Sequence, residues 1–472
     1  MANTTGNEHR PQPFWDANSA HINRQLWLPP SSIPADEWKA IGCGWGTSRI
    51  WSSGAEVHRE FQLPPVVGEE GLAGAMDQGL PALKTTTYRL YPTAAEKEIL
   101  VKWMGAARWT FNACLRAVKD HKDGWSRISK KELRARAINK EAIASLQKPW
   151  LEETPYDIRD AAMGDLLKAF ASGVARYKKD KKVFEIRYRS LKNCFQESIV
   201  IHHKHWKRRR GKYAFLRQMN SEIGERLPDT LPHDSRLVRV RLTGHFYLCV
   251  PGSLEVVDTP GPAGVRPVVA LDPGVRTFMT GYTPDGVVIE VGKGDIGHIY
   301  RLCHLLDALQ SRWSEKDLVH KKKWRLKRAA AMIRRRIMNL VDDMHCRTAK
   351  YLCSSYEVVL LPKFETQQMV KCRGRRKIRS KTARAMATWA HYRFQRRLLN
   401  KAREHPWCRV VLVGEAHTSK TCGQCGRLHG IGGRKVFRCL HCGFECDRDI
   451  NGARNILLRY CTRIARGESV TD

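Results

Sequence analysis

Four cysteines stand as two Cys-x-x-Cys pairs in "TCGQCGRLHGIGGRKVFRCLHCG": Cys422 and Cys425, then, after thirteen residues, Cys439 and Cys442. Thiolates at this spacing match a tetrahedral zinc ribbon. They leave no coordination position open, so the zinc they predict is structural and not catalytic. Gly423, Gly426 and Gly443 give the two knuckles room to turn. Cys446, His429 and His441 are spare donors nearby, read as lying outside the coordination sphere.

Carboxylates supply a second chemistry. Asp272 follows "PVVAL" and precedes "PGVRT". An acid at the end of a buried strand costs free energy unless something pairs with it, and a divalent cation does so where other carboxylates converge. An aspartate that merely opens a Pro-Gly turn is the competing reading. Asp447 and Asp449 lie in "DRDINGARNILL", where a helix starts and either could be its N-cap. In a strongly basic chain with an α/β pattern, these acids point to an RNase H-like nuclease. Its clustered hard oxygens would hold two magnesium ions about 3.5 to 4 Å apart.

A series of strands and helices must position these groups. Residues 1–84 carry Pro, Gly and scattered Trp without periodicity, an N-terminal extension of uncertain order. "TTTYRLYPTAAEKEIL" alternates as a strand and then turns helical. Thr93 and Glu96 fit a capping box, and Leu100, Trp103, Ala107, Phe111 and Cys114 share one helix face, with Arg108 beside it. Helical patterning runs to about residue 180. The next segment, to about residue 250, is β-rich and basic, and "LVRVRLTGHFYLCVP" reads as a hairpin. There Trp206 and Tyr213 flank Lys207, Arg208, Arg209, Arg210 and Lys212, a mixture that suits base stacking and phosphate contact or, equally, a solvated loop.

"DTPGPAGVRP" is a linker, and the pattern beyond it changes. "PVVALDPGVRTFMTGYTPDGVVIEVG" reads as three strands. Residues 315–350 form a long helix with an apolar stripe of Leu326, Ile333, Ile337, Leu340 and Met344, and its other faces carry Lys322, Arg325 and Arg335. "YEVVLL" and "RVVLVG" are buried strands on either side of a basic helix around 381–404. Strands alternating with helices predict a parallel or mixed sheet covered by helices.

Lys plus Arg number 83 against 47 Asp plus Glu, a formal net charge of +36. Such an excess points to a polyanionic partner, nucleic acid before a membrane surface, since no long apolar span or lipidation signal is present. Fifteen scattered cysteines, four of them at ligand spacing, suit a reducing compartment. With no secretion signal at the N-terminus, a soluble intracellular protein is expected.

"YRLYPTAAEKEILVKWMGAARWTFN", "LDPGVRT", "TSKTCGQCG" and "DRDINGARNIL" together resemble, in this order, the TnpB proteins of insertion sequences and their relatives, the type V CRISPR effectors and the Fanzor proteins. The resemblance covers about residues 85 to 466. It implies an α/β and β multi-domain fold. A β-barrel-like wedge domain (85–92 and 181–257) is interrupted by a helical recognition domain (93–180). An RNase H-like RuvC nuclease domain (264–418 and 447–472) carries the zinc ribbon (419–446) as an insertion. It further implies an RNA-guided DNA endonuclease that pairs a guide RNA with target double-stranded DNA beside a short flanking motif. The alternatives are a guided binder that has lost cleavage and an unguided transposon-associated nuclease.

Carried over by position, the first catalytic aspartate is Asp272. The last is Asp449, because "DINGA" matches the family's Asp-x-Asn-Ala/Gly-Ala, with Asp447 the runner-up. The family's middle glutamate falls on Pro362, which cannot bind metal. Glu415, after "RVVLVG", is the preferred substitute and Glu365 the reserve. Arg108, the 206–212 cluster, Lys322, Arg325 and Arg335 are the expected nucleic-acid contacts. The nucleus is the expected location if the host is eukaryotic, and otherwise the cytoplasm or nucleoid.

Overall fold

The computed structural model describes residues 83–466 apart from 122–127, 182, 192–193, 207–210, 221–223, 260–265, 316, 365, 371–377, 415–416 and 431–433, together with strand residues 42–43, 46–47 and 50–52. The expected N-terminal extension therefore lies almost wholly outside the described residues. The chain divides into two compact units, Leu80–Leu254 and a second made of Met1–Gly79 with Glu255–Asp472.

In the first unit, β1 (Leu83–Leu90) leads into α1 (Ala94–Lys119), α2 (Lys130–Ala137), α3 (Lys140–Ser145) and α4 (Tyr156–Asp180). The chain returns as β2 (Gln196–Ile201), β3 (Ser235–Val240) and β4 (His245–Ser253), giving an antiparallel sheet in the order β1-β4-β3-β2. The capping box at the head of α1 forms: Glu96 N–H donates to Thr93 Oγ1 at 3.4 Å and Thr93 N–H to the Glu96 carboxylate at 2.7 Å. All five residues of its predicted apolar face are buried. Glu197, itself buried, is an ion-pair partner of Arg108 and of Arg239.

From Glu255 onward the second unit runs through β5 (Arg266–Pro273), β6 (Met279–Tyr282) and β7 (Val287–Val291), followed by α5 (Asp295–Ser314) and α6 (His320–Ser355). Next come β8 (Tyr356–Pro362), α7 (Ser380–Trp389), α8 (His391–Ala402) and β9 (Arg409–Val413), and after them β10 (Val436–Arg438), β11 (Glu445–Asp447) and α9 (Arg448–Ala465). The main sheet runs β9-β8-β5-β6-β7, with Ile50–Ser52 paired outside β7. β9, β8 and β5 are parallel, and β5, β6 and β7 form an antiparallel meander.

Alternation decides what each sheet face meets. Val269, Leu271, Val359 and Leu361 pack with Met344, Leu352, Phe394 and Leu398 of α6 and α8. Val268, Ala270, Val358, Leu360 and Val413 pack with Ile456, Leu457 and Tyr460 of α9. Each such Leu or Val contributes about 1.5–3 kcal/mol through burial. The same parity carries Asp272 to the α9 side.

The single basic helix expected around 381–404 is instead two helices, broken at Ala390 with φ 51°. An alanine there costs roughly 1–2 kcal/mol. Tertiary anchors hold the break: Trp389 Nε1 donates to Val275 O at 2.9 Å, Trp389 O lies 2.9 Å from His345 Nε2, and the His391 ring stacks on Phe278 at 5.0 Å.

Candidate functional site

Asp272 occupies the end of β5, where the chain turns through Pro273 and Gly274. Gly274 N–H donates to Phe278 O at 3.1 Å and Phe278 N–H to Val291 O at 2.9 Å, so the turn is tied to the meander. Asp447 is the N-cap of α9, its Oδ1 accepting from Asp449 N–H at 2.9 Å while its Oδ2 lies 3.5 Å from Lys435 Nζ. Capping thus occupies Asp447 and leaves Asp449 in the first turn.

The two elements meet through glycines. A Cβ placed on Gly452, one turn after Asp449, would lie 2.6 Å from Asp272 Oδ2. A Cβ on Gly274 would lie 3.8 Å from Asp449 Oδ2. Asp272 and Asp449, remote in sequence, are therefore brought to one junction between β5 and α9. Burial, then the Asp447 charge, pushes the Asp449 carboxyl above the ordinary aspartate value, opposed by Arg448, Arg276 and Lys435. Two carboxylates brought to one junction, with Gly452 leaving room for Asp272, are hard-oxygen donors of the kind a divalent cation such as magnesium takes.

Both candidates for a third acid, Glu415 and Glu365, lie outside the described residues. Pro362 is buried at the end of β8, in register with Val413 of β9, and Lys363 N–H donates to Val413 O at 3.1 Å.

The cysteine cluster is compact. Cys422 and Cys442 sulfurs are 3.6 Å apart, as are those of Cys425 and Cys439, and all four lie within 4.8 Å of one another. Thiolates about 2.3 Å from a tetrahedral zinc stand about 3.8 Å apart, so the set fits the ion. The knuckles repeat one design: Gly426 N–H donates to Cys422 O at 3.0 Å and Gly443 N–H to Cys439 O at 3.1 Å, each glycine at φ 73°. His429 Nε2 comes within 3.1 Å of Cys439 Sγ, and Cys446 packs beside Phe437 and Phe444 in the ribbon's core.

Gly423 serves a different purpose from the turning role expected of it. A Cβ there would meet Asn451 Oδ1 at 3.0 Å, the same atom that accepts Gly423 N–H at 3.0 Å. Asn451, fully buried in α9, also donates to Thr421 O at 2.8 Å, and Asn455 donates to Thr418 O and Thr421 O at 2.8 and 2.7 Å. These two asparagines fasten the first knuckle to the helix that carries Asp449. Sequence reasoning missed them. Their signal is two poor helix formers at i and i+4, one face of an otherwise good helix.

The expected nucleic-acid contacts divide. Trp206 is 1 % exposed and donates its indole N–H to Pro228 O at 2.8 Å, so it is a core residue with no face for a base. Tyr213 is likewise buried. The Arg108 guanidinium is engaged by Glu197, and Lys212 Nζ donates to the carbonyls of Glu152 and Glu153 at 2.7 and 3.1 Å. Residues 207–210 lie outside the described residues. On α6, Lys322 and Arg325 are exposed and Arg335 is half-buried. Among the described residues no helix is long and apolar enough to cross a membrane.

Residues 391–456 match the family model described as "Cas12f1-like, TNB domain". Residues 82–121, folded here as β1 and α1, match a model described as "Helix-turn-helix domain". The chain is 30% identical over 395 residues to a protein of Paramecium bursaria Chlorella virus 1 named as a transposase, covering 80% of this chain and 87% of the relative. It is 24% identical over 468 residues to a TnpB-like protein of Acanthamoeba polyphaga mimivirus, covering 92% and 86%. It is 23% identical over 409 residues to InsQ of Escherichia coli strain K12, named as an RNA-guided DNA endonuclease, covering 82% and 95%. A solved Cas12f1–sgRNA–target DNA complex aligns with TM-score 0.39 and 13% identity over 80% of this chain and 98% of that one.

Proposed function

The chain belongs to the TnpB superfamily, and from that membership we propose that it is an RNA-guided DNA endonuclease with a single RuvC-type, RNase H-like site. The meeting of Asp272 and Asp449 at the glycine-cleared junction of β5 and α9 carries this reading. A meander joined to parallel strands, with α9 across one face, supports the RNase H-like assignment. Glu415 is the proposed third acid. It follows Val413 by two residues, and Val411 and Val413 are the β9 residues that pack with α9.

Asp272, Asp449 and Glu415 would hold magnesium. When bound, the ions supply an activated water and stabilise the leaving 3′ oxygen. Arg448 and Arg276 offset the Asp449 charge. Lys322, Arg325 and Arg335 of α6 are proposed to grip guide RNA and heteroduplex phosphates, so binding should fall steeply with salt. A zinc in the ribbon would be structural, and Asn451 and Asn455 of α9 tie its first knuckle to the helix that carries Asp449.

Pro362 favours a second reading, an RNA-guided binder that no longer cleaves, because the family's usual glutamate position holds no ligand. One experiment separates the two: sequence the RNA that copurifies with the full-length protein, then present duplex DNA complementary to it. A defined RNA is expected, with products in magnesium and none in chelator. Asp272→Ala or Asp449→Ala should cut cleavage by about a thousandfold while RNA stays bound. Tight target binding without products in magnesium selects the binder, and the absence of any defined RNA overturns both.

A further inference from the structure

A second set of metal-ligating side chains stands at the end of the β2–β3 ladder, in the first unit. Ile201 of β2 pairs with Ser235 of β3, and the next residue outward on each strand is His202 and Asp234. His203 begins a short helix, His203–Trp206, whose position is fixed by the buried, hydrogen-bonded Trp206. A sheet end and an anchored turn therefore hold all three side chains.

Their donor atoms converge. Asp234 Oδ1 lies 2.8 Å from His203 Nδ1 and 3.2 Å from His202 Nδ1, and it accepts His203 N–H at 3.1 Å. One ligand atom from each residue falls within 4.8 Å of the other two. Ligands about 2.0–2.1 Å from a tetrahedral zinc stand about 3.3 Å apart, so small side-chain adjustments would admit an ion. The two imidazole rings are 4.6 Å apart, tilted by 33°. Protonating both would set like charges side by side, whereas one divalent cation binds both in neutral form. His205 stands aside: its Nε2 is 2.5 Å from Asp157 Oδ2 and its ring stacks on Tyr213.

We propose that His202, His203 and Asp234 form a second metal site, for a borderline divalent cation such as zinc, with the fourth position open to water. Two imidazole nitrogens and one carboxylate oxygen favour zinc over magnesium. With side-chain exposures of 32%, 49% and 46% for His202, His203 and Asp234, the site is reachable from solvent. The proposal is independent of the nuclease reading.

The test is a zinc titration of the full-length protein, already zinc-loaded at the ribbon, by calorimetry and chelator competition. Asp234→Asn keeps an acceptor for His203 N–H while removing the charge, so it separates ligation from folding. His203→Ala is the second variant and Cys442→Ser the ribbon control. Wild type should take up one further zinc per chain. Each site variant should weaken that step by about tenfold or more, at least what loss of a metal site's outer partner costs, and leave the ribbon zinc in place. With the ribbon zinc in place and no zinc added, both site variants should remain folded, melting only slightly below wild type because the His203–Asp234 hydrogen bonds are weakened or lost. Uptake of the ribbon zinc alone by wild type, or overlaid isotherms for wild type and both site variants, would overturn the proposal.

Discussion

The ribbon gathers its four thiolates within one short stretch, Cys422 to Cys442, and each knuckle closes with its own backbone hydrogen bonds. The carboxylate pair has no local frame. Asp272 lies at the end of β5 and Asp449 in the first turn of α9, and they meet because α9 packs across β5, β8 and β9. The first site is assembled by spacing, and its four sulfurs fit a zinc ion that would complete it. The second is assembled by the core. They should therefore fail differently, one to chelation and the other to crowding, and Asn451 with Asn455 is where failure of the first can reach the second.

The sharpest contrast sets Gly452→Ala against Cys439→Ser. The alanine Cβ would sit 2.6 Å from Asp272 Oδ2, so the carboxylate or the helix must shift. Displacement of a reacting group by about 1 Å costs about a hundredfold, and cleavage should fall to that extent while the ribbon keeps its zinc. Cys439→Ser should release the zinc, and with it most of the ribbon's folding energy, since structural zinc sites contribute about 10–16 kcal/mol in isolated fingers. Cleavage should fall there too, with guide RNA retained. Metal analysis beside a cleavage assay reads both variants. Wild-type cleavage by Gly452→Ala would sever the link between the glycine cradle and catalysis.

These contrasts follow what could be read along the chain. Cys-x-x-Cys spacing, the Thr93–Glu96 box and the change from the alternating β1 to the helical α1 each act within a few residues, and each is visible in sequence. The break at Ala390 is not, because nothing local favours φ 51° for alanine; distant Val275 and Phe278 hold it. Trp206 looked like a stacking platform because basic residues surround it in sequence, yet burial and Pro228 O hold it in the core. Asp447 and Asp449 could not be ranked by local pattern alone; the hydrogen bond to Asp449 N–H makes Asp447 the cap. The asparagine fastening is long-range on one side and so shows only as an oddity of composition.

That fastening supplies a smaller test. Asn451→Ala leaves the buried Gly423 N–H without its acceptor, while Thr421 C=O keeps the Asn455 amide, a cost of about 1–3 kcal/mol. The loss should appear as lower stability of the zinc-loaded protein and about a tenfold fall in cleavage. Repeated in the Cys439→Ser background, the same substitution should cost much less, because the knuckle it fastens is no longer folded. An equal cost in both backgrounds would mean that ribbon and helix are not coupled through Asn451.

Asp295 sharpens the carboxylate side of the comparison and should leave cleavage unchanged. Like Asp449 it is an acid in the first turn of a helix, but it is 4 % exposed and its Oδ1 has no hydrogen-bond partner among the described residues. A helix N-terminus favours a negative charge by about 0.3–1 kcal/mol. Burial outweighs this and pushes the carboxyl up to about 7. Since the folded value is raised, Asp295 does not penalise folding below the unfolded value of about 3.9, where both states are protonated. Between there and about 7 the unfolded chain releases a proton that the folded chain keeps, so stability falls as pH rises, by at most about 1.4 kcal/mol per pH unit. Above that range both states are ionised and the penalty is constant. Asp295→Asn should therefore match wild type in thermal unfolding near pH 4 and exceed it near pH 8, with or without magnesium. A stabilisation that magnesium erased would place Asp295 among the cation ligands, and the division between a buried acid left without a cation and a site built around one would no longer hold.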